Sequence, residues 1–464
     1  MKKRLLTLTL ILASALGTFA ASPKYIFYFI GDGMGLGAVS LTDSYRRIAL
    51  GDSLPMAMLS LPVTSFATTW SASSPVTDSA AAGTALSTGS KTRNGMLGMT
   101  PDSVPAVSMA EILHAKGYGV GLVTSVAPDD ATPGAFYAHQ PYRGMFYEIG
   151  CDFAKSGFEF LGGAGLRGRK DSDGNPTDLL NVIADAGVQI VYDPDSVALA
   201  DSRRVILLGK VTQSDNNIGY AIDSIPGAMS LEQMTRAALA HMQRVSPDGF
   251  FMMVEGGSID HAAHANDAAT VVKETMAFDQ SLRAALEFME AHPDETLVLV
   301  TADHETGGLI LANRTLHYYI EPSLLRYPRM SKEAFSDYCK SVWKSRMVFT
   351  WDDMKRALSE QLGLYDYIPV NAEEDAELQE MFTAMLENRS AADEQSLYKN
   401  FNAFSVAIYD LINRVSGAGW TTGDHSGTPV PVFASGVGAG RFVGMKDNTD
   451  LPKIILSIVE EGSR

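Results

Sequence analysis

Several apolar, β-branched runs in this 464-residue chain stop abruptly at polar or glycine-rich stretches. "YIFYFI" ends at Gly31 and Asp32, and "GVGLVTSV" runs into "APDDATPG". "FFMMVE" gives way to "GGSIDHAAH", and "TLVLVTAD" to "HETGG". "VPVFASG" near the C-terminus is a further candidate strand. Short, continuous apolar runs of this kind read as strands buried on both faces. Helical patterns such as "VSMAEILHAKG" and "MSLEQMTRAALAHMQRV" lie between them. Strands alternating with helices predict an α/β fold, with a mostly parallel sheet covered by helices on both faces. Ligands in such folds bind outside the carboxyl ends of the strands, and the polar clusters fall at those ends.

From about residue 311 to 418 the texture changes. Aromatics are frequent, an acidic helical stretch "NAEEDAELQEMFTAMLENRS" appears, and buried-strand runs become scarce. This predicts a largely helical insertion within one domain spanning 21–464.

Charge and the N-terminus refine the picture. The formal net charge of −17 argues against nonspecific nucleic-acid binding. It also makes an anionic substrate odd unless local cations reverse the field. Residues 1–20 combine a basic start (Lys2, Lys3, Arg4), a short apolar stretch and small residues. That pattern is a secretory signal peptide with cleavage expected after Ala20. The apolar stretch is short for a membrane span. An exported protein is therefore expected, periplasmic or extracellular, without a stable membrane anchor. Export permits a disulfide between Cys151 and Cys339, but two free thiols fit equally well. Cys-rich zinc patterns are absent, which excludes a soft-ligand metal site.

Two motifs are decoys. "GAGLRG" (163–168) fits a dinucleotide fingerprint, but the turn-rich "RKDSDGNPTD" follows where a helix should open. A glycine-rich surface loop is expected instead. "DSDGN" (171–175) hints at a calcium loop but lacks its glycine and closing glutamate, so a polar turn is expected.

The remaining polar clusters carry chemistry. Asp260 and His264 share a face if "SIDHAAH" is helical, and carboxylate plus imidazole at that spacing suits zinc. Alone the pair carries little. Glu255, ending an apolar strand, is costly there unless paired or metal-bound. Asp303 and His304 sit at another strand end, where a turn lets both reach one ion. His425 lies in the glycine-rich "TTGDHSGT". Asp32, Asp130 and Thr132 add hard oxygen ligands suited to magnesium. Metal ligands at nearly every strand end point to one polynuclear oxygen/nitrogen site. Ser79, in "TDSAAAGTA", opens an alanine-rich helix, where N–H groups and the dipole favour an anion. A cation touching its oxygen would make it a nucleophile. Arg143 offers a fork for two phosphate oxygens.

Taken in order, "IGDGMG", "TDSAAAGTA", "DATPGAFYAH" with Arg143, "VEGGSIDHAAH", "TADHETGG" and "GDHSGT" resemble the alkaline phosphatase family over nearly the whole of 21–464. The resemblance implies a three-layer sandwich with a crown insertion, two zinc ions and a third metal, commonly magnesium. It implies Asp260, His264 and His425 as ligands of the first zinc, and Asp32, Asp303 and His304 as ligands of the second, which also touches Ser79. Asp32, Thr132 and Glu255 would hold the third metal, and Arg143 would bind the phosphate. Asp130 and His261 would stand behind these ligands. His261 occupies a position where some members carry lysine, a pairing with Asp130 that bears on the third metal. The implied activity is hydrolysis of small phosphate monoesters through a phosphoserine intermediate, and a homodimer is compatible with it. The competing readings are another reaction of the superfamily, such as diester or sulfate ester cleavage, and a non-catalytic phosphate or metal binder. Sulfatases need a Cys- or Ser-x-Pro-x-Arg context, which Ser79 lacks. Many diesterases use threonine. A pure binder would not need Ser79.

Overall fold

A computed structural model describes residues 22–312, 318–345, 348–388 and 394–462. The signal-peptide reading, 1–20, lies outside the described residues. Eight strands come first in chain order: β1 (Tyr25–Gly31), β2 (Val63–Thr68), β3 (Gly119–Thr124), β4 (Phe160–Gly163), β5 (Val188–Val191), β6 (Arg204–Leu208), β7 (Phe250–Glu255) and β8 (Thr296–Ala302). With Val430–Gly436 and Lys446–Asp447 they form a ten-stranded sheet. Its order is Lys446–Asp447, β2, Val430–Gly436, β8, β1, β7, β3, β4, β6, β5. From β8 across to β5 every neighbouring pair is parallel, while Val430–Gly436 runs antiparallel to both β8 and β2.

All positions of β1, β3, β7 and β8 are buried. Successive side chains of a strand point to opposite faces, so both faces of the sheet are covered. That is why these strands read as continuous apolar runs. Phe27, Phe250 and Phe288 pack edge-on or tilted at 5.5–5.7 Å between ring centres, tying β1 and β7 to the helix Ala268–Ala291. The two helices expected from pattern form at Met109–Ala115 and Leu231–Val245. Each starts on a reciprocal cap, Ser108 with Glu111 and Ser230 with Gln233, which satisfies orphan N–H groups at the first turn.

Register aligns the strand ends. Ile30 pairs with Glu255 and Thr301, Gly31 with Ala302, and Thr124 with Glu255. The residues just beyond β1 and β8, Asp32 and Asp303, therefore emerge in one row with Glu255.

Between 312 and 417 the described chain is mainly helical: Lys332–Ser345, Trp351–Leu362, Ala372–Leu386 and Ala403–Ser416. The two-residue strands Ile310–Leu311 and Ala418–Gly419 pair antiparallel, so the chain leaves and rejoins the sheet domain at neighbouring points. Cys151 and Cys339 are free thiols, the first half-buried and the second buried. No described helix is long and apolar enough to cross a membrane.

Candidate active site

At the carboxyl end of β1 the chain turns sharply through Gly33, whose φ of +68° suits glycine. A Cβ there would lie 2.8 Å from both Asp260 Oδ1 and Thr306 Oγ1. The Gly33 N–H donates to Asp303 Oδ1 at 3.1 Å. The turn thus seats Asp32 beside Asp303 and His304, which follow β8. His304 Nε2 lies 3.3 Å from Asp32 Oδ1 and 3.1 Å from Asp303 Oδ2. Adjacent residues that would diverge in a strand converge here because the chain turns after Ala302.

Asp260, His261 and His264 ride on the short helix Ser258–His264 that follows β7. His264 Nε2 is 3.4 Å from Asp260 Oδ2 and 3.0 Å from His425 Nε2. His425 sits on a two-residue strand that pairs with Thr306. Its ring stacks on His304, 3.6 Å between centres. Two trios of ligand atoms each fit within 4.8 Å: Asp32, Asp303 and His304, and Asp260, His304 and His425. His304 belongs to both, and His264 approaches the second through His425 and Asp260.

The ring tautomers follow from the hydrogen bonds. His264 Nδ1 donates to Gly423 O at 2.6 Å and His425 Nδ1 to Thr77 O at 2.8 Å, because a carbonyl can only accept. Thr306 donates its hydroxyl proton to Asp260 Oδ1 at 2.5 Å, so its oxygen accepts from His304 Nδ1 at 3.2 Å. Each ring is therefore free to direct an Nε2 lone pair inward, the arrangement of metal-binding histidines. Asp32 Oδ1, Asp303 Oδ2 and Thr132 Oγ1 are buried without a hydrogen-bond partner. Buried polar atoms are rarely left so, and these are hard oxygen donors. The donor set fits borderline and hard divalent cations.

Electrostatics point the same way. Burial, then Asp303 and Asp260, pushes the Asp32 carboxyl well up. Burial and Asp260 lift Asp303 to about 7. Burial lifts Glu255 to about 8 against its hydrogen bond from Thr124, with Asp303 and Asp130 adding to the rise. Such a crowd of carboxylates ionises together only when cations neutralise it. Burial also pushes Asp260 up, but His264, His425 and His304 outweigh it and hold the group well below the usual range. Burial keeps His261 uncharged, down at about 4.

Ser79 begins the helix Ser79–Thr88, capped by Asp78, whose Oδ1 accepts from Ala81 N at 2.9 Å. Ser79 Oγ is buried 3.2 Å from His304 Nε2. Arg143 reaches Asp78 Oδ2 at 3.4 Å and Asp130 Oδ1 at 3.2 Å. Thr132 lies beside Glu255 on the turn that Asp130 caps. The sequence-predicted residues therefore converge at one end of the sheet.

Four contributors escaped sequence reasoning. Thr306 orients His304, and Thr124 bonds Glu255. Tyr398 donates its phenol to Asp260 Oδ2 at 2.9 Å and packs its ring 3.8 Å from that of His261. Arg167 pairs with Asp130 Oδ2 at 3.2 Å. Arg167 corrects the expectation for "GAGLRG": the loop opens no long helix, but its other residues are buried rather than on the surface. The two glycines flanking Ala164 and the charge on Arg167 were visible, but nothing local linked them to Asp130.

The family model for alkaline phosphatase matches residues 23–157 and 163–460. The chain is 30% identical to alkaline phosphatase 3 of Bacillus subtilis, over 94% of this chain and 89% of that protein. It superposes on the cold-active alkaline phosphatase of a psychrophilic Shewanella with a TM-score of 0.79 at 26% identity, covering 94% of this chain and 99% of that one. A TAB5 alkaline phosphatase variant, solved with Mg bound in its M3 site, matches with a TM-score of 0.65 at 25% identity, over 95% and 99% of the two chains. With strands, site and near-complete family match in agreement, this chain belongs to the alkaline phosphatase family of phosphomonoesterases.

Proposed function

We propose that the chain hydrolyses phosphate monoesters to an alcohol and inorganic phosphate through a phosphoserine formed on Ser79. The observation that carries this reading is Ser79 Oγ, buried at a helix N-terminus and 3.2 Å from Nε2 of His304, the residue common to both ligand trios. In this reading Asp260, His264 and His425 hold one zinc ion, and Asp32, Asp303 and His304 hold the other. Asp32, Thr132 and Glu255 hold magnesium. When bound, the cations supply Lewis-acid polarisation of phosphoryl oxygens and make hydroxyl groups acidic near neutral pH.

The chain's own residues do the rest. Ser79 Oγ loses its proton and attacks phosphorus in line, and the ester oxygen leaves with its bonding pair and takes up a proton as the alcohol. The N–H groups of the helix Ser79–Thr88 and its dipole favour the charge on the phosphoryl group. Arg143 binds two nonbridging oxygens and fixes their orientation. Water then attacks the phosphoserine, and the Ser79 oxygen leaves and regains its proton. Asp78 and Asp130 hold the Arg143 fork in place between turnovers.

We also read residues 1–20 as an export signal, and 311–418 as an insertion that closes over the site through Tyr398. N-terminal sequencing of secreted protein, starting at Ala21, would support the first.

The deciding experiment is hydrolysis of p-nitrophenyl phosphate with and without chelator, followed by separate readdition of zinc and magnesium. Loss on chelation with recovery on zinc, enhanced by magnesium, is expected. Activity indifferent to chelator would sink the metal assignment. Faster turnover of bis-p-nitrophenyl phosphate than of the monoester would favour the diesterase alternative.

A further inference from the structure

Asp129 and Asp130 are consecutive, and both grip the loop that follows β4. The two carboxylate oxygens of Asp129 accept the backbone N–H groups of Arg167 at 3.0 Å and Gly168 at 2.8 Å. Asp130 accepts the Arg167 side chain, Nη1 to Oδ2 at 3.2 Å. The guanidinium also lies 3.8 Å from the ring centre of Phe146. Gly168 leaves no room between this loop and the helix Phe146–Ser156, since a Cβ there would sit 2.5 Å from the Phe146 carbonyl oxygen. Arg167 is thus fixed by backbone, ion pair and ring, although 34% of its side chain faces solvent.

The other oxygen of Asp130 accepts from Arg143 Nη2 at 3.2 Å, and Arg143 Nη1 reaches Asp78 at 3.4 Å. The four side chains Asp78, Arg143, Asp130 and Arg167 therefore alternate in sign. Without Arg167 the row would hold one cation between two carboxylates. An incoming phosphate would then compete with the undivided charge of Asp130 for the Arg143 fork. Opposite charges at this range attract strongly in a partly desolvated site. A second guanidinium on the far oxygen of Asp130 draws off that competition and keeps the carboxylate in the plane that orients Arg143.

We infer that Arg167 is a positioning residue for anion binding, acting on Arg143 through the Asp130 carboxylate. This rests on reading the site as a phosphate pocket, and it adds a residue from a loop that makes no hydrogen bond to Ser79 or the proposed metal ligands among the described residues.

The test titrates inorganic phosphate calorimetrically into the metal-loaded full chain and measures KM and kcat on p-nitrophenyl phosphate. Arg167→Gln should weaken phosphate binding about tenfold, the cost of one charge-assisted hydrogen bond. KM should rise in step, with kcat changing less. Arg167→Lys, which keeps the charge, should recover part of the affinity, and unfolding midpoints of both variants report folding. In an Asp130→Asn background the Arg167→Gln loss should shrink to about twofold or less, because the carboxylate through which it acts is gone. A phosphate Kd in Arg167→Gln within about twofold of the parent would overturn the inference. So would an equal loss in both backgrounds, which would mean that Arg167 acts without Asp130. Calorimetry decides the role of Arg167 even if monoester turnover, and with it the proposed function, were to fail.

Discussion

The Nε2 atoms of His264 and His425 face each other at 3.0 Å across 161 residues of chain. Both Nδ1 atoms are committed to carbonyls, so two ring nitrogens at this distance need a proton or a metal ion between them. Chelation is therefore expected to cost stability as well as activity. Ligand held at ~100 times its Kd contributes about 2.7 kcal/mol to the folded state. The unfolding midpoint should fall by several degrees in chelator and recover with zinc. His264→Asn should lower the zinc content by one ion per chain, read by mass spectrometry of the dialysed protein. Unchanged zinc content would remove His264 from the ligand set.

Ser79→Ala removes the proposed nucleophile without touching the convergent nitrogens and carboxylates. Turnover should fall on the order of 10³-fold or more. Zinc content and inorganic phosphate binding should persist. Residual turnover near the parent rate would place the nucleophile elsewhere.

Tyr398 comes from the helical segment between 312 and 417 and bonds Asp260 Oδ2 at 2.9 Å. Tyr398→Phe keeps the ring on His261 but loses the hydrogen bond, and kcat/KM should drop about tenfold. Tyr398→Ala should cost more, since the ring contact with His261 is lost as well. Parent values for both variants would mean that this segment does not shape the site during turnover.

Glu274 predicts a pH effect outside the metal cluster. It is buried on the helix Ala268–Ala291 and accepts Ala221 N at 2.6 Å. Burial, helped by Asp223, lifts its carboxyl to about 8 against that hydrogen bond. The native state therefore binds a proton that the unfolded state gives up near pH 4.5. Its contribution to stability is fully present below the unfolded value and is lost as pH rises toward about 8. Glu274→Gln keeps an acceptor oxygen for Ala221 and should flatten this decline. Denaturant midpoints for parent and variant, measured from pH 5 to 9, should diverge at the alkaline end; parallel curves would mean that Glu274 is ionised in the fold.

Much of the fold was legible because buried parallel strands cannot alternate. β1, β7 and β8 are buried throughout and mostly apolar, and at their carboxyl ends stand Asp32, Glu255 and Asp303, which must meet solvent, a cation or each other. The roles of Thr306, Tyr398 and Arg167 were not legible. Tyr398 and Arg167 act by hydrogen bonds to residues distant in sequence, and Thr306 accepts from its near neighbour His304 only because its own proton goes to the distant Asp260. "GAGLRG" shows the difference: turn-rich flanks suggested a surface loop, while Asp129 draws it inward by its backbone.

By itself the sequence determined the strand-and-helix alternation, the carboxylates and imidazoles waiting at strand ends, and the serine opening a helix. These follow from local physics: β-branched burial, the cost of a carboxylate at the end of an apolar strand, and capping of a first turn. Only the tertiary structure decided which Nε2 faces which oxygen, that Asp130 is shared by two arginines, and that a tyrosine from the helical segment reaches Asp260. Those relations depend on register and on loops meeting across the sheet. They are set by long-range packing, which no short window of the chain encodes.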